Sequence, residues 1–277
     1  MHLCSLFKWL LSIINLCLIS TSLYAASNSE NLSTPPAKKD FEAAVTTNVP
    51  SSLDKDPYEG FNRAMFKFND VLDIYLLKPV AQFYNAIMPK PLNEGIHNVF
   101  SNLGELTTIA NDLLQLHFYQ FANDSWRLAI NSTVGIGGLF DVATRINLPY
   151  YSNDFGLTMA YYGYKNSNYL VLPLFGPNTV RDGLGLPVDY YLFSAYQFIH
   201  PDKTRYALFG LNIIDQRAQL LQYQSVMDEA IIDKYSFMRN AYMQRRAYEI
   251  KQNAELHNIV GQTRNDSPAQ NYNKIGT

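Results

Sequence analysis

The chain has 277 residues, 47% of them hydrophobic and only 17% charged, with 22 basic against 24 acidic residues and a formal charge of -2. So much apolar surface excludes a chain disordered throughout, and the near-neutral balance leaves no electrostatic footprint for nucleic acid. Both cysteines, Cys4 and Cys17, precede the region expected to fold, which removes disulfide scaffolds, zinc clusters and thiol nucleophiles from it.

Residues 1–25 read as a signal peptide. Lys8 and His2 give a weakly positive start, Trp9 to Ile19 is apolar apart from Ser12 and Asn15, and small residues lead to Ala25 before a cleavage point. The apolar run is too short for a spanning helix. Leu16 and Asn15 precede Cys17 where lipid modification needs a small residue, so export without an N-terminal lipid anchor is expected. Residues 26–55, with Pro35 and Pro36 among Ser, Thr and Asn, read as a flexible tether. The folded domain is expected over 56–251, with a polar tail over 252–277.

The domain opens with a helix start: Asp56 as cap, Pro57, and Glu59 completing a capping box. Tyr58, Phe61, Met65, Phe68 and Leu72 then recur at helical spacing, and Glu59 and Arg63 have ion-pair spacing. A second stripe is Val80, Phe83, Tyr84 and Ile87, ended by Pro89 and Pro91. Leu92 to Leu116 reads as two helical stretches meeting near Gly104, with Ile96, Val99, Phe100, Leu103, Leu106, Ile109, Leu113 and Leu114 inward. Phe118 to Val134 carries Ala122, Trp126, Ala129, Ile130 and Thr133 on one side, and Gly135, Gly137 and Gly138 stop it. A short helix is expected over Leu139 to Ile146.

Phe155 to Pro177 carries one charge, Lys165, and reads as a small apolar hairpin: Tyr169 to Leu172 has strand character and Lys165-Asn166-Ser167-Asn168 resembles its turn. Helices return over Val188 to Ile199, Asp202 to about Val226, and Asp228 to Lys251, the last with Ile231, Tyr235, Met238 and Tyr242 on one stripe. Acidic Asp228 and Glu229 at its start and Arg245, Arg246 and Lys251 at its end suit the helix dipole. The fold class is all-α, with one hairpin.

No two of His2, His97, His117, His200 and His257 have metal-ligand spacing, and there is no nucleophile elbow. Gly135-Ile136-Gly137-Gly138 follows a helix rather than a strand and lacks the lysine of a phosphate loop. Arg181 is a candidate contact for an anion such as a lipid phosphate, although its spacing to Asp182 favours a local ion pair. Apolar stripes normally build a core, but successive aromatic stripes beside an uncharged hairpin could equally meet a bilayer. Periodicity does not separate the two.

In family order along nearly the whole domain come Asp56-Pro57-Tyr58-Glu59-Gly60-Phe61-Asn62-Arg63, Val71-Leu72-Asp73, Lys78-Pro79-Val80-Ala81 and the block from Asn131 to Ala143. Asp154-Phe155-Gly156, Leu172-Pro173-Leu174-Phe175-Gly176-Pro177 with Arg181-Asp182, Arg217 to Leu221, and Tyr242 to Arg246 complete the set. The sequence resembles the MlaA/VacJ family of Gram-negative outer-membrane lipid-transport proteins.

The resemblance implies a ring of amphipathic helices in the periplasmic leaflet of the outer membrane, around an amphipathic channel. Such proteins remove glycerophospholipids from the outer leaflet and pass them to a soluble periplasmic carrier, preserving lipid asymmetry, and a trimeric porin holds the ring. It implies no enzyme, no cofactor and no catalytic or metal site. The hairpin borders the channel in the family, which carries Phe155, Gly156, Tyr169, Leu170, Leu172 and Pro173 over to that role. Gly135, Gly137 and Gly138 become a hinge, and Asn166-Ser167-Asn168 stands where the family often has Gly-Pro. The alternatives are a periplasmic adaptor that binds a porin without passing lipid and, more remotely, a phospholipid hydrolase.

Overall fold

The computed structural model describes residues 56–224 and 233–265. The expected signal peptide and tether, Val226, Asp228, Glu229, Ile231, and residues 266–277 lie outside the described residues.

Four helices lead: α1 (Glu59–Leu72), α2 (Lys78–Ile87), α3 (Lys90–Leu114) and α4 (Phe118–Thr133), with a π-helical turn at Asp73–Leu77 joining the first two. Short helices α5 (Val142–Arg145) and α6 (Phe155–Tyr161) precede the antiparallel strands β1 (Tyr169–Leu172) and β2 (Gly176–Thr179). Then come α7 (Val180–Val188), a π-helical turn at Asp189–Phe193, a 3-10 turn at Ala195–Phe198, α8 (Asp202–Leu220) and α9 (Lys234–Asn265). The fold is thus mostly helical with one two-stranded hairpin, as the sequence pattern implied.

Several boundaries differ from expectation, each for a local reason. Pro89 and Pro91 do not merely end α2: Pro89 is the N-cap of α3 and Pro91 lies in its first turn, where a missing N–H costs nothing. Helix α3 runs unbroken through Gly104. The capping box does not form, because the Asp56 carboxylate takes the Tyr58 N–H (2.9 Å), the Asn62 amide (3.1 Å) and the Tyr235 hydroxyl. Glu59 instead pairs with Arg63 at 2.8 Å, as their spacing implied. No single helix covers Val188 to Ile199, since Ser194 is extended and its hydroxyl accepts from Tyr196 N to start a new turn. At the other end, α9 continues to Asn265, well past the expected end at Lys251.

The largest correction concerns which faces are inward. In α3 the buried residues include Asn102, Glu105, Thr108, Asn111 and Asp112, while Leu113 and Leu114 are exposed and Leu103, Leu106 and Ile109 only half-buried. In α4 the buried set is Gln120, Asn123, Asp124, Arg127 and Asn131, and the Trp126 and Ile130 side is not. Phe61 (51%), Phe83 (65%) and Phe118 (62%) stand out on the exterior. These helices are amphipathic in reverse, with polar stripes at helical spacing forming the interior and aromatic stripes the outside. So large an apolar exterior is stable against acyl chains rather than water. Among the described residues no helix is long and apolar enough to cross a membrane.

The contacts close on themselves. Helix α1 passes through the π-helical turn to α2, which packs on α8; α8 meets α3, α3 meets α6, α6 crosses α7, and α7 touches the hairpin, which packs back on α1. An isolated two-stranded hairpin is marginal in water. Here α1 supplies the missing neighbour. Asn62 donates to Tyr169 O (3.1 Å) and accepts from Val171 N (2.8 Å); one heptad on, Asn69 donates to Leu172 O (2.9 Å) and accepts from Leu174 N (2.8 Å). Two asparagine side chains thus satisfy the open edge of β1.

Candidate functional site

The polar seam between α3 and α4 is held by charge and amide pairs. Buried Arg127 donates to Glu105 (2.9 Å) and to Thr144 (3.1 Å), while Asn131 donates to Asp141 (3.1 Å) and accepts from Ala143 N (2.9 Å). Gln115 spans to Asn153 (2.9 Å) and Thr158 (2.8 Å), and Asn153 donates to Asp112 (2.8 Å). Burial raises the Glu105 carboxyl to about 7 against the pull of Arg127. Asp112 and Asp124 are both pushed up by burial, Asp124 further by the two acids beside it.

A second network centres on Arg246, which reaches three acids from α9. Its five N–H groups go to Asp154 (2.8 and 3.0 Å), Asp182 (3.1 and 2.7 Å) and Glu249 (2.9 Å). Asp182 also takes two bonds from Arg181 (2.9 and 2.8 Å) and one from the Tyr242 hydroxyl (2.8 Å). Despite burial, these guanidinium groups hold its carboxyl below the usual range. The same two acids sit at helix starts: Asp154 caps α6 by accepting from Leu157 N, and Asp182 donates its backbone N–H to Thr179, the cap of α7.

This network forms one wall of a cavity of about 510 Å³, within the range that holds small ligands. Asp154, Arg245, Arg246, Glu249 and Gln216 give it polar wall, and Phe175, Pro177 and Leu186 give it apolar wall. It is amphipathic, and the hairpin contributes to it.

The hairpin's geometry differs from the sequence reading. Its turn is Pro173-Leu174-Phe175, and Asn166-Ser167-Asn168 precedes β1 instead; Phe155 to Tyr161 is helix α6. Leu174 holds a positive φ of 69°, and both it and Phe175 project into the open at the tip. The cavity therefore takes Phe175, Pro177 and Asn178 from the turn and β2, rather than Tyr169, Leu170 or Leu172 from β1 or Pro173 from the turn. Tyr169 is buried beside Met65, Phe66, Tyr235 and Tyr242, whereas Leu170 and Leu172 lie half-exposed on the other face of β1. Phe155 and Gly156 sit one and two residues after the lining acid Asp154, and a Cβ on Gly156 would lie 2.3 Å from Asp182 Oδ1.

Arg181 is not placed to meet a headgroup: it is 1% exposed, bonded to Asp182 and to the carbonyls of Tyr164 (3.2 Å) and Lys165 (3.0 Å). The structure shows the local ion pair with Asp182. The glycines after α4 do not form an open break either. Gly135, Gly137 and Gly138 donate back to Ile130, Ser132 and Asn131 carbonyls, and a Cβ on Gly138 would press on Asn102 at 2.9 Å. Among the described residues no cluster of three or more His, Cys, Asp or Glu is arranged to hold a metal.

The seam sets a pH dependence. Glu105, Asp112, Asp124 and Asp189 all have carboxyl groups raised by burial, and Asp215 raises His97. A group that binds its proton more tightly when folded stabilises the fold below its unfolded value and loses that contribution as pH rises through the folded value. Stability in detergent is therefore expected to fall from about pH 5 to pH 8, and Asp124→Asn, which mimics the protonated acid, should flatten the slope. Thermal melts across that range check this; an unchanged slope in the variant would contradict it.

Apolar faces outward, ion pairs inward and an amphipathic cavity suit a protein that sits among apolar chains. The MlaA lipoprotein family profile matches residues 54–249, and the chain belongs to that family. It is similar to the intermembrane phospholipid transport system lipoprotein MlaA of Escherichia coli (strain K12), with 34% identity over 198 residues, 70% of this chain and 77% of that protein. The Haemophilus influenzae protein of the same name is 32% identical over 206 residues, 70% and 79% of the two chains. An uncharacterized protein of Rickettsia felis is 33% identical over 196 residues, covering 71% and 78%. A solved structure described as the structural basis for maintenance of bacterial outer membrane lipid asymmetry superposes with a TM-score of 0.61 at 34% identity, covering 71% of this chain and 99% of that one.

Proposed function

We propose that the protein is a non-enzymatic conduit that takes glycerophospholipids from the outer leaflet of the outer membrane and hands them to a soluble periplasmic carrier. The observations that carry this are the reversed polarity of α3 and α4 and, elsewhere in the same domain, an amphipathic cavity lined by the hairpin, α7, α8 and α9. A lipid needs a polar path for its head and apolar contact for its tails, and the two kinds of wall meet at the hairpin. Membership of the MlaA lipoprotein family supports the same reading, since its named members are phospholipid-transport lipoproteins. The apolar exterior suits the periplasmic leaflet, and a trimeric porin is the partner expected to hold the protein there.

Transfer from protein-bearing outer-membrane vesicles to a soluble lipid acceptor tests the conduit. Protein-dependent transfer is expected, and its absence, with a porin still bound, would favour the adaptor reading. The hairpin gives a sharper test. Leu170→Asp with Leu172→Asp puts two charges on the half-exposed face of β1, where they would meet acyl chains. We expect transfer to fall by about tenfold or more, given a penalty of about 1–3 kcal/mol for each poorly solvated polar group. Full transfer by a normally accumulated double variant would remove that face of β1 from the path.

A further inference from the structure

We propose that the cavity is matched to a zwitterionic glycerophospholipid, with the phosphate on Arg245 and the ammonium against the carboxylates of Asp154 and Glu249. This rests on the conduit reading and names the lipid class it prefers. The charged lining consists of two guanidinium groups and two carboxylates, so the wall has no net formal charge. An anionic head would gain at Arg245 and be opposed by the acids, whereas a zwitterion meets a complementary charge at both ends.

The two arginines are not equivalent. Arg246 is buried with all five N–H groups engaged by acids, so a phosphate could reach it only by breaking that network. Arg245, its neighbour in sequence, has a side chain that is 73% exposed and donates through Nε alone to Glu249, at 2.7 Å. That bond runs through Nε, so it does not engage Nη1 or Nη2 of this exposed side chain. Those two nitrogens form the planar fork that takes a phosphate bidentately.

The spacing supports the assignment. Arg245 and Glu249 are one helical turn apart on α9, which brings both groups to the same stretch of wall. The arginine end of this pair is exposed, where ion pairs hold weakly, while the Glu249 side chain is 15% exposed and also bonded to Arg246. Asp154, the N-cap of α6 and part of the same wall, keeps a third of its side chain accessible while bonded to Arg246, and its carboxylate oxygens retain lone pairs for an ammonium. Phe175, Pro177 and Leu186 continue the wall with apolar surface for the glycerol and the first methylenes.

The test is lipid retention from nanodiscs of equimolar phosphatidylethanolamine and phosphatidylglycerol, with the full-length protein recovered and its bound lipid quantified by mass spectrometry. The protein should retain the ethanolamine lipid over the glycerol lipid by roughly two- to fivefold, the ratio one exposed charge contact gives. Glu249→Gln, which removes a carboxylate that would meet the ammonium, should bring the retained ratio towards that of the nanodisc, whereas Arg245→Glu should lower the total phospholipid retained because both lipids carry the phosphate. Bound lipid in the nanodisc ratio, or an unchanged ratio in Glu249→Gln, would overturn the headgroup assignment and leave the conduit standing. No bound phospholipid at all would overturn both.

Discussion

Arg246→Met is expected to destabilise the protein by about 3–5 kcal/mol, the cost of removing one partner from a buried ion network. The loss is large because the acids stay behind. Asp182 is 7% exposed in its side chain and would keep only Arg181 and Tyr242, while Asp154 would lose two bonds at the start of α6. Three distant stretches of chain, α6, α7 and α9, meet at that guanidinium, so the variant should also disorder the cavity wall. Arg245→Met provides the comparison: its exposed pair with Glu249 should cost no more than about 1 kcal/mol. Denaturation of both variants in the same detergent checks this, and equal, small losses would show that Arg246 does not hold the wall together.

Gly156→Ala should act on the same network from the other side. The added methyl would sit 2.3 Å from Asp182 Oδ1 and 2.9 Å from both Arg246 Nη2 and Asp154 Oδ1, all of them fixed by ion pairs. Helix α7 cannot retreat simply, because a Cβ on Gly185 would itself lie 2.9 Å from the Gly156 nitrogen, so the two helices cross nearly backbone to backbone. Overpacking of this kind costs about 1–3 kcal/mol, and displacing the ion pairs should take most lipid transfer with it. Gly104→Ala, inside α3 with nothing within 4 Å of the new methyl, should instead stabilise by about 0.5–1 kcal/mol. The opposite signs are the signature; similar melting shifts for the two would contradict it.

The period of the helices was legible from residue spacing, but the direction of their faces was not. Helix α3 carries two stripes of equal period, one through Leu103, Leu106 and Leu113, the other through Asn102, Glu105, Thr108 and Asp112. Spacing alone does not say which turns inward, since that depends on whether water or lipid lies outside. The second stripe, unbroken by any apolar residue at its positions and matched by Gln120, Asp124, Arg127 and Asn131 on α4, was the available signal. Strand β1 was found at its residues, yet the turn was misplaced: Asn166-Ser167-Asn168 has turn chemistry, while Pro173-Leu174-Phe175 turns through a leucine at positive φ. The hub at Arg246 was out of reach for a different reason, since its partners lie 64 and 92 residues away in sequence. Family resemblance supplied those residues without their geometry.

The most direct test of the conduit is the amount of phospholipid in the outer leaflet, measured on intact cells with and without this gene by a probe that does not cross the outer membrane. Loss of the gene should raise outer-leaflet phospholipid, complementation should restore it, and Gly156→Ala should fail to do so. An unchanged outer leaflet in deleted cells, with the protein shown to be expressed in the parent, would contradict the account.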